Sequence, residues 1–189
     1  MSPSVSSPLD NIPSKKYFHP RTKYLLTTMK FIADGMLGKL TRWLRLAGQN
    51  VIYIGDLQVP AEEQDDILIE HAKNERRRLL TCDIELHRRA KKNGVKSVFI
   101  RGDDVAMQLV QLSRQCGQAI RIDLRNSRCP ICNGELELTS KSDVKREVPP
   151  AVLKTHKEFW RCKSCGKTYW QGTHWKTIIE MAERYERML

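Results

Sequence analysis

Two residue types in this chain stand at spacings that could do chemistry. The first is cysteine. Cys129-Pro130-Ile131-Cys132 and Cys162-Lys163-Ser164-Cys165 are two Cys-x-x-Cys pairs separated by 29 residues. Each pair suits a tight knuckle, and Gly134 and Gly166 follow where such turns want glycine. Four thiolates complete a tetrahedral zinc site with no open position, so the expected zinc is structural and not catalytic. Iron or two disulfides are the other uses of four cysteines. A disulfide across Cys-x-x-Cys is a poor structural staple, and no secretory signal is recognisable, so metal is favoured. The zinc would also stabilise a module too small to build much core. Cys82 and Cys116 stand alone and read as small apolar interior residues.

The second type is aspartate: Asp34, Asp65, Asp66, Asp83, Asp103 and Asp104. Their meaning depends on the elements that carry them. Lys30-Phe31-Ile32-Ala33 reads as a short strand ending at Asp34. Leu37, Leu40, Leu44 and Ala47 recur at helical spacing before Gly48. Val51–Ile54 is the second strand, and Ile67, Leu68, His71 and Ala72 mark a second helix opened by Asp65-Asp66. Arg78–Cys82 is the third strand, closed by Asp83. A basic helix over 84–93 follows, then a fourth strand at Ser97–Ile100 and a helix from about Asp104 to Leu112. A fifth short strand is expected near Ala119–Asp123. This alternation predicts a parallel α/β sheet with helices on both faces. Ligand sites of such sheets lie at the carboxyl ends of the strands. Asp34, Asp83 and Asp103-Asp104 fall there, and the second helix starts on the same side.

Crowded carboxylates repel by several kcal/mol even at an effective dielectric constant of about 20. A cation would neutralise them, and hard oxygen ligands select Mg²⁺ or Mn²⁺. Such an ion can activate water and steady an in-line phosphodiester displacement. The plain alternative is that Asp65, Asp66, Asp83 and Asp104 are helix caps. Asp34 has no evident capping partner in sequence. Thr81, two residues before Asp83, could orient a carboxylate or a water, or simply be a β-branched strand residue.

At this point the chain resembles a known family. Asp34-Gly35-Met36-Leu37-Gly38-Lys39-Leu40 with Arg42-Trp43-Leu44-Arg45 and Gly48 is similar to the opening of the Mut-seven C-terminal RNase domain, a PIN-like nuclease. Leu79-Leu80-Thr81-Cys82-Asp83 resembles its third-strand motif and Arg101-Gly102-Asp103-Asp104 its fourth. The cysteine pairs with Phe159-Trp160 and Tyr169-Trp170 resemble its terminal zinc ribbon. The resemblance covers about residues 30–176. It implies a PIN-like fold and Mg²⁺- or Mn²⁺-dependent cleavage of RNA. Asp34, Asp83 and Asp104 would then be metal ligands, and Asp65 the helix-borne acid with Asp66 as its understudy. Cys82 departs from the pattern, where a charged or polar residue is expected.

The 189 residues allow one ordinary domain plus a small module, divided as a disordered leader (1–28), a PIN-like nuclease domain (29–125), and a zinc ribbon with a C-terminal helix (126–189). The leader holds four prolines and few acids, which faintly suits organelle targeting; an intracellular, cytoplasmic place is otherwise expected. No apolar run is long enough to span a membrane. The net charge is +11, spread as +3, +4 and +4 over these three segments, so both domains suit a polyanion. The expected partner is RNA, single-stranded because bases and aromatics interleave in the ribbon, with Arg161, Lys163 and Trp170 as contacts. Lys39, Arg42, Arg45 and Thr81 are the substrate-side candidates of the nuclease domain. Arg76-Arg77-Arg78 read as a solvated face. The alternative to a ribonuclease is a degenerate fold that binds RNA or protein without cutting. A phosphoacceptor domain would want a lysine at a later strand end, and a haloacid-dehalogenase phosphatase an Asp-x-Asp; neither is present. Oligomeric state is not legible.

Overall fold

The computed structural model describes residues 28–120, 122, 126–172 and 174–189. The expected leader thus lies almost wholly outside the described residues. Four strands, β1 (Lys30–Ala33), β2 (Asn50–Tyr53), β3 (Arg78–Thr81) and β4 (Ser97–Phe99), form a parallel sheet in the order β2-β1-β3-β4. The crossovers are α1 (Gly38–Leu46), α2 (Gln64–Asn74) and α3 (Ile84–Lys92), and α4 (Val105–Cys116) follows β4. The fifth strand expected near Ala119–Asp123 falls partly outside the described residues; Ala119, Ile120 and Ile122 lie in no sheet.

Strand periodicity divides the core into two layers. Phe31, Ala33 and Leu80 face one side and pack with Leu40 and Leu44 of α1 and Leu109 and Leu112 of α4. Ile32 and Leu79 face the other and pack with Leu68 and Ala72 of α2 and Leu86 and Ala90 of α3. Phe31, Ile32, Leu79 and Leu80 are fully buried. Each such side chain contributes about 2 kcal/mol, which is how strands of four residues hold. The sheet with helices on both faces is therefore as the sequence predicts.

The second unit is a three-stranded antiparallel sheet, β5 (Leu136–Thr139), β6 (Phe159–Cys162) and β7 (Thr168–Tyr169), in the order β5-β6-β7. Short helices α5 (Lys141–Val144) and α6 (Pro150–Thr155) cover it around Val144, Val148 and Phe159. Helix α7 (His174–Met188) then leaves the ribbon. It lays Ile179, Ala182 and Tyr185 into the same core as α1 and α4. The Tyr185 hydroxyl lies 2.8 Å from Ser113 Oγ, and the Ile120 amide donates to both oxygens. The core thus crosses the boundary expected at residue 126, because the apolar face of α7 finds its cover on the sheet domain. No helix among the described residues is long and apolar enough to cross a membrane.

A polar latch joins the two units at the sheet edge. Val51 of edge strand β2 turns its backbone groups away from β1. Its N–H donates to Asn133 Oδ1 at 3.0 Å, and its carbonyl accepts from Arg45 Nε and Nη2. Arg45 also donates to the carbonyls of Pro130 and Ile131 in the first knuckle and to Asp56 Oδ2 at 2.7 Å. The knuckle thereby covers an edge that would otherwise be open to another strand. Two expectations are corrected here. Arg45 is 2% exposed and engaged in this latch, so it does not face a substrate. Arg77 is 7% exposed and bonds Glu75, the Phe31 carbonyl and Asn50, so it is a buried clamp and not a solvated charge.

If α7 belongs to the sheet core, Tyr185→Ala should lower the unfolding free energy by about 3–5 kcal/mol, and Tyr185→Phe by only about 1 kcal/mol. Urea titration followed by circular dichroism measures both. An undiminished midpoint in Tyr185→Ala would show that the helix is merely appended.

Candidate active site and zinc centre

At the carboxyl edge of the sheet, Asp34 follows β1 and Asp83 follows β3, the two central strands. Asp34 is 6% exposed. Its Oδ2 accepts the Cys82 amide at 3.0 Å and its Oδ1 the Met36 amide at 2.9 Å. The second bond caps the short helical turn Gly35–Leu37, a partner not evident in the sequence. Thr81 is fully buried between the two acids. Its hydroxyl accepts the Asp83 amide at 2.8 Å and favours the charged form of the Asp34 carboxylate. Burial raises the Asp34 pKa above the usual carboxylate value; bonds from Thr81, Cys82 and Met36 oppose that rise, and the charge of Asp83 adds to it. Thr81 therefore positions carboxylates and has no surface to offer a substrate, which corrects its expected contact role.

Asp83 is exposed and caps α3 through Oδ1 alone, which accepts the amides of Glu85 at 2.7 Å and Leu86 at 3.1 Å. The cap and metal readings are thus compatible, since Oδ2 is spare. The turn after β1 is set by Tyr53, whose hydroxyl donates to the Gly35 carbonyl at 2.8 Å. A Cβ at Gly38 would stand 3.0 Å from that hydroxyl oxygen, which explains this glycine in the Asp34–Leu40 stretch.

The remaining acids are placed differently. Asp104 caps α4 through Oδ1 to the Met107 amide, and its Oδ2 meets Arg184 of α7 at 2.7 Å. The cap and Arg184 hold its carboxyl below the usual range. Asp103 beside it is exposed, so the doubled aspartates divide into one cap and one open carboxylate. Asp65 and Asp66 turn toward Arg89 of α3, at 3.8 and 3.0 Å. The structure brings Asp34 and Asp83 together, sets Asp103 and Asp104 at the neighbouring strand end, and leaves Asp65 and Asp66 in ion pairs. Lys39 and Arg42 are exposed on α1. Sequence reasoning missed Gln108, which donates to the Gly102 carbonyl at 2.6 Å, and Gln111, which bonds both backbone groups of Arg101. Two glutamines one turn apart in the apolar stretch Val105–Leu112 were the available signal.

Among the described residues, the four cysteines form the single group of three or more possible ligands close enough to share an ion. Sulfurs at about 2.3 Å around a tetrahedral zinc stand about 3.8 Å apart. Here Cys129 and Cys165 are 3.8 Å apart, Cys132 and Cys162 are 3.4 Å apart, and all four lie within 4.8 Å. Gly134 is required, because a Cβ there would reach 2.7 Å from Cys162 Sγ. Burial opposes ionisation of Cys129, but hydrogen bonds from Tyr169 and from the Cys132 and Ile131 amides outweigh it and lower the thiol to about 7. Cys132 is pushed up to about 12 by burial and by its sulfur neighbours. The donor set fits zinc, whose charge would draw the remaining protons off.

The ribbon's expected RNA contacts are partly consumed within it. Trp170 packs against the Val144, Val148 and Phe159 core. Arg161 pairs with Glu147, and Lys163 is exposed beside Glu135. The knuckle is bonded to β2, so zinc loss should be felt across the chain. Cys129→Ser should bring bound zinc from close to one per chain to near none, and should lower the thermal midpoint of a single transition. Elemental analysis with calorimetry tests this; an unchanged sheet-domain transition after zinc loss would refute the coupling.

A family model described as the Mut7-C RNAse domain matches residues 29–182. Nothing among the curated proteins or the solved structures matches. The match begins at the residue before β1 and ends inside α7, so it takes in the carboxylate edge, the four-cysteine cluster and most of the helix that returns to the sheet. The chain belongs to the Mut7-C RNase-domain family.

Proposed function

We propose that this protein is a metal-dependent ribonuclease that hydrolyses RNA phosphodiester bonds at the carboxyl edge of its parallel sheet. The observation that carries the reading is the pair Asp34 and Asp83, set at adjacent strand ends with the buried Thr81 between them at the end of the third strand. A partly desolvated carboxylate beside a second one is a poor arrangement for stability and a good one for a hard divalent cation. Asp34 and Asp83 would hold Mg²⁺ or Mn²⁺, with Asp103 and Asp104 as further acids at the next strand. The ion would supply charge neutralisation and a more acidic water. Exposed Lys39 and Arg42 on α1 would meet the phosphate backbone, and the exposed ribbon lysine Lys163 would extend that track. RNA binding without cleavage is the second reading, favoured by Arg184 on Asp104 and Arg89 on Asp65 and Asp66, which neutralise acids that catalysis would use.

Asp83→Asn is the cleaner test. Asparagine caps a helix as well as aspartate, and Oδ1 alone makes both cap bonds, so stability should change by less than about 0.5 kcal/mol. Cleavage of labelled RNA with Mn²⁺ or Mg²⁺ should fall by a factor of about 100 or more. Full activity in a folded Asp83→Asn preparation, with chelator abolishing it, would move the metal site elsewhere. Metal-independent cleavage would end the reading.

The Asp34 shift gives a pH signature. Because the native carboxyl binds its proton more tightly than the unfolded one, its contribution to stability is full below the unfolded pKa. It is lost as pH rises through the higher native pKa. Metal-dependent cleavage should move oppositely, rising through the same range as the proton leaves. Parallel urea titrations and rate profiles from acid to neutral pH check both signs.

A further inference from the structure

Six large apolar side chains are exposed among the described residues, and three of them sit beside the strand-end acids. Met36 is two residues past Asp34 and 76% exposed. Ile84 directly follows Asp83 and is 42% exposed. Met107, in the first turn of the helix capped by Asp104, is 46% exposed. The three come from successive connections, after β1, β3 and β4, which are neighbours in the sheet. By the usual strand spacing, β1 and β4 stand about 10 Å apart. Nothing in the fold needs apolar groups here: Asp83 and Asp104 make the caps, and the core lies beneath.

We infer that Met36, Ile84 and Met107 form a rim that receives unpaired nucleobases on either side of the phosphate that a cation on Asp34 and Asp83 would hold. The inference rests on the ribonuclease reading and adds the form of the substrate. Three facts fix the occupant. Exposed apolar groups gain when a flat, weakly hydrated face covers them, and thioethers contact aromatic rings favourably. The rim is not simply apolar: Lys39 follows Met36, and Arg101 precedes Met107 with its guanidinium 5.6 Å from the Phe99 ring centroid. An alternation of apolar and cationic groups matches a strand that alternates bases and phosphates. A duplex presents phosphates while its base faces are stacked inside, so it could not use the apolar members. Methionine and isoleucine offer no directional hydrogen bonds to a base, so the rim should tolerate any sequence.

The test uses the full chain carrying Asp83→Asn, so that binding is measured without cleavage, with and without Met36→Ser, Ile84→Ser and Met107→Ser together. All three residues are exposed, and thermal unfolding confirms that the variants fold. The probes are a single-stranded RNA, the same RNA annealed to its complement, and a chain of equal length lacking bases. The parent should bind the single strand about ten-fold more tightly than either other probe, and the triple variant should lose that difference while keeping the salt dependence of the phosphate contacts. Equal discrimination in parent and triple variant overturns the rim, as does a parent that prefers duplex; an apolar protein partner would give the first result. Cleavage by the chain with intact Asp83 is scored separately, so loss of the ribonuclease reading is distinguishable from loss of the rim.

Discussion

The buried Arg45 guanidinium is the interaction on which the arrangement of the molecule depends. Taking an unpaired charge out of water costs several kcal/mol. Here its donors are distributed over the Val51 carbonyl, the Pro130 and Ile131 carbonyls and the Asp56 carboxylate. These partners come from an edge strand, a cysteine knuckle and the turn after β2. Only a planar fork of several donors can meet them at once; a lysine would offer three donors from one point. The penalty of leaving any one unmet pulls all three together. The ribbon is thus held against the sheet by its least apolar contact, supported by Asn133 bonding Val51 and Asn50 beside it.

The opposite end of the sheet shows the converse economy. Parallel strands all end on one edge, so carboxylates placed there converge whether or not this is stable. Asp34 and Asp83 are kept apart in role by Thr81, which supports both from beneath. The backbone amides that Asp34 accepts stabilise its charged form, but burial outweighs them. A cation bound there, as proposed, would relieve that imbalance. Asp104 lies one strand further out, is half-buried and already has a cation beside it. Along the edge the acids thus pass from buried at Asp34 to paired at Asp104.

Much of this was legible in the sequence, for definable reasons. Cys-x-x-Cys spacing with Gly134 and Gly166 dictates a closed four-thiolate cluster, because knuckle geometry is local. Phe31-Ile32-Ala33 and Leu79-Leu80 announce strands buried on both faces, because their periodicity is local too. What failed were the long-range partners. Arg45 and Arg77 read as surface charges, since nothing in neighbouring residues reveals that carbonyls from distant segments will enclose them. Arg184 lies 80 positions from Asp104, and Arg89 lies 24 positions from Asp65, so their ion pairs could not be foreseen from spacing. The C-terminal helix was expected, but that it would cover the sheet and not the ribbon was not. Trp170 likewise suits a stacking platform or a small core, and the ribbon's shortage of apolar residues decided for the core.

These long-range contacts change what counts as a domain. The knuckle closes the β2 edge at one side of the sheet, and α7 returns from the ribbon to pack on α4 at its face. The ribbon is therefore tethered twice, and neither tether runs through the cysteine sulfurs. A zinc ion on the four cysteines would fix the shape of the knuckle whose carbonyls Arg45 reads, and α7 carries Arg184 to Asp104 beside the carboxylate edge. A change in the cysteine cluster thus has two routes toward the sheet, one ending in hydrogen bonds at strand β2 and one in an ion pair at the cap of α4. The match of the family model from residue 29 to residue 182 takes in the first route and stops two residues short of Arg184 on the second. The sheet thus has its edge covered by a cysteine knuckle and its face by the helix that follows the ribbon.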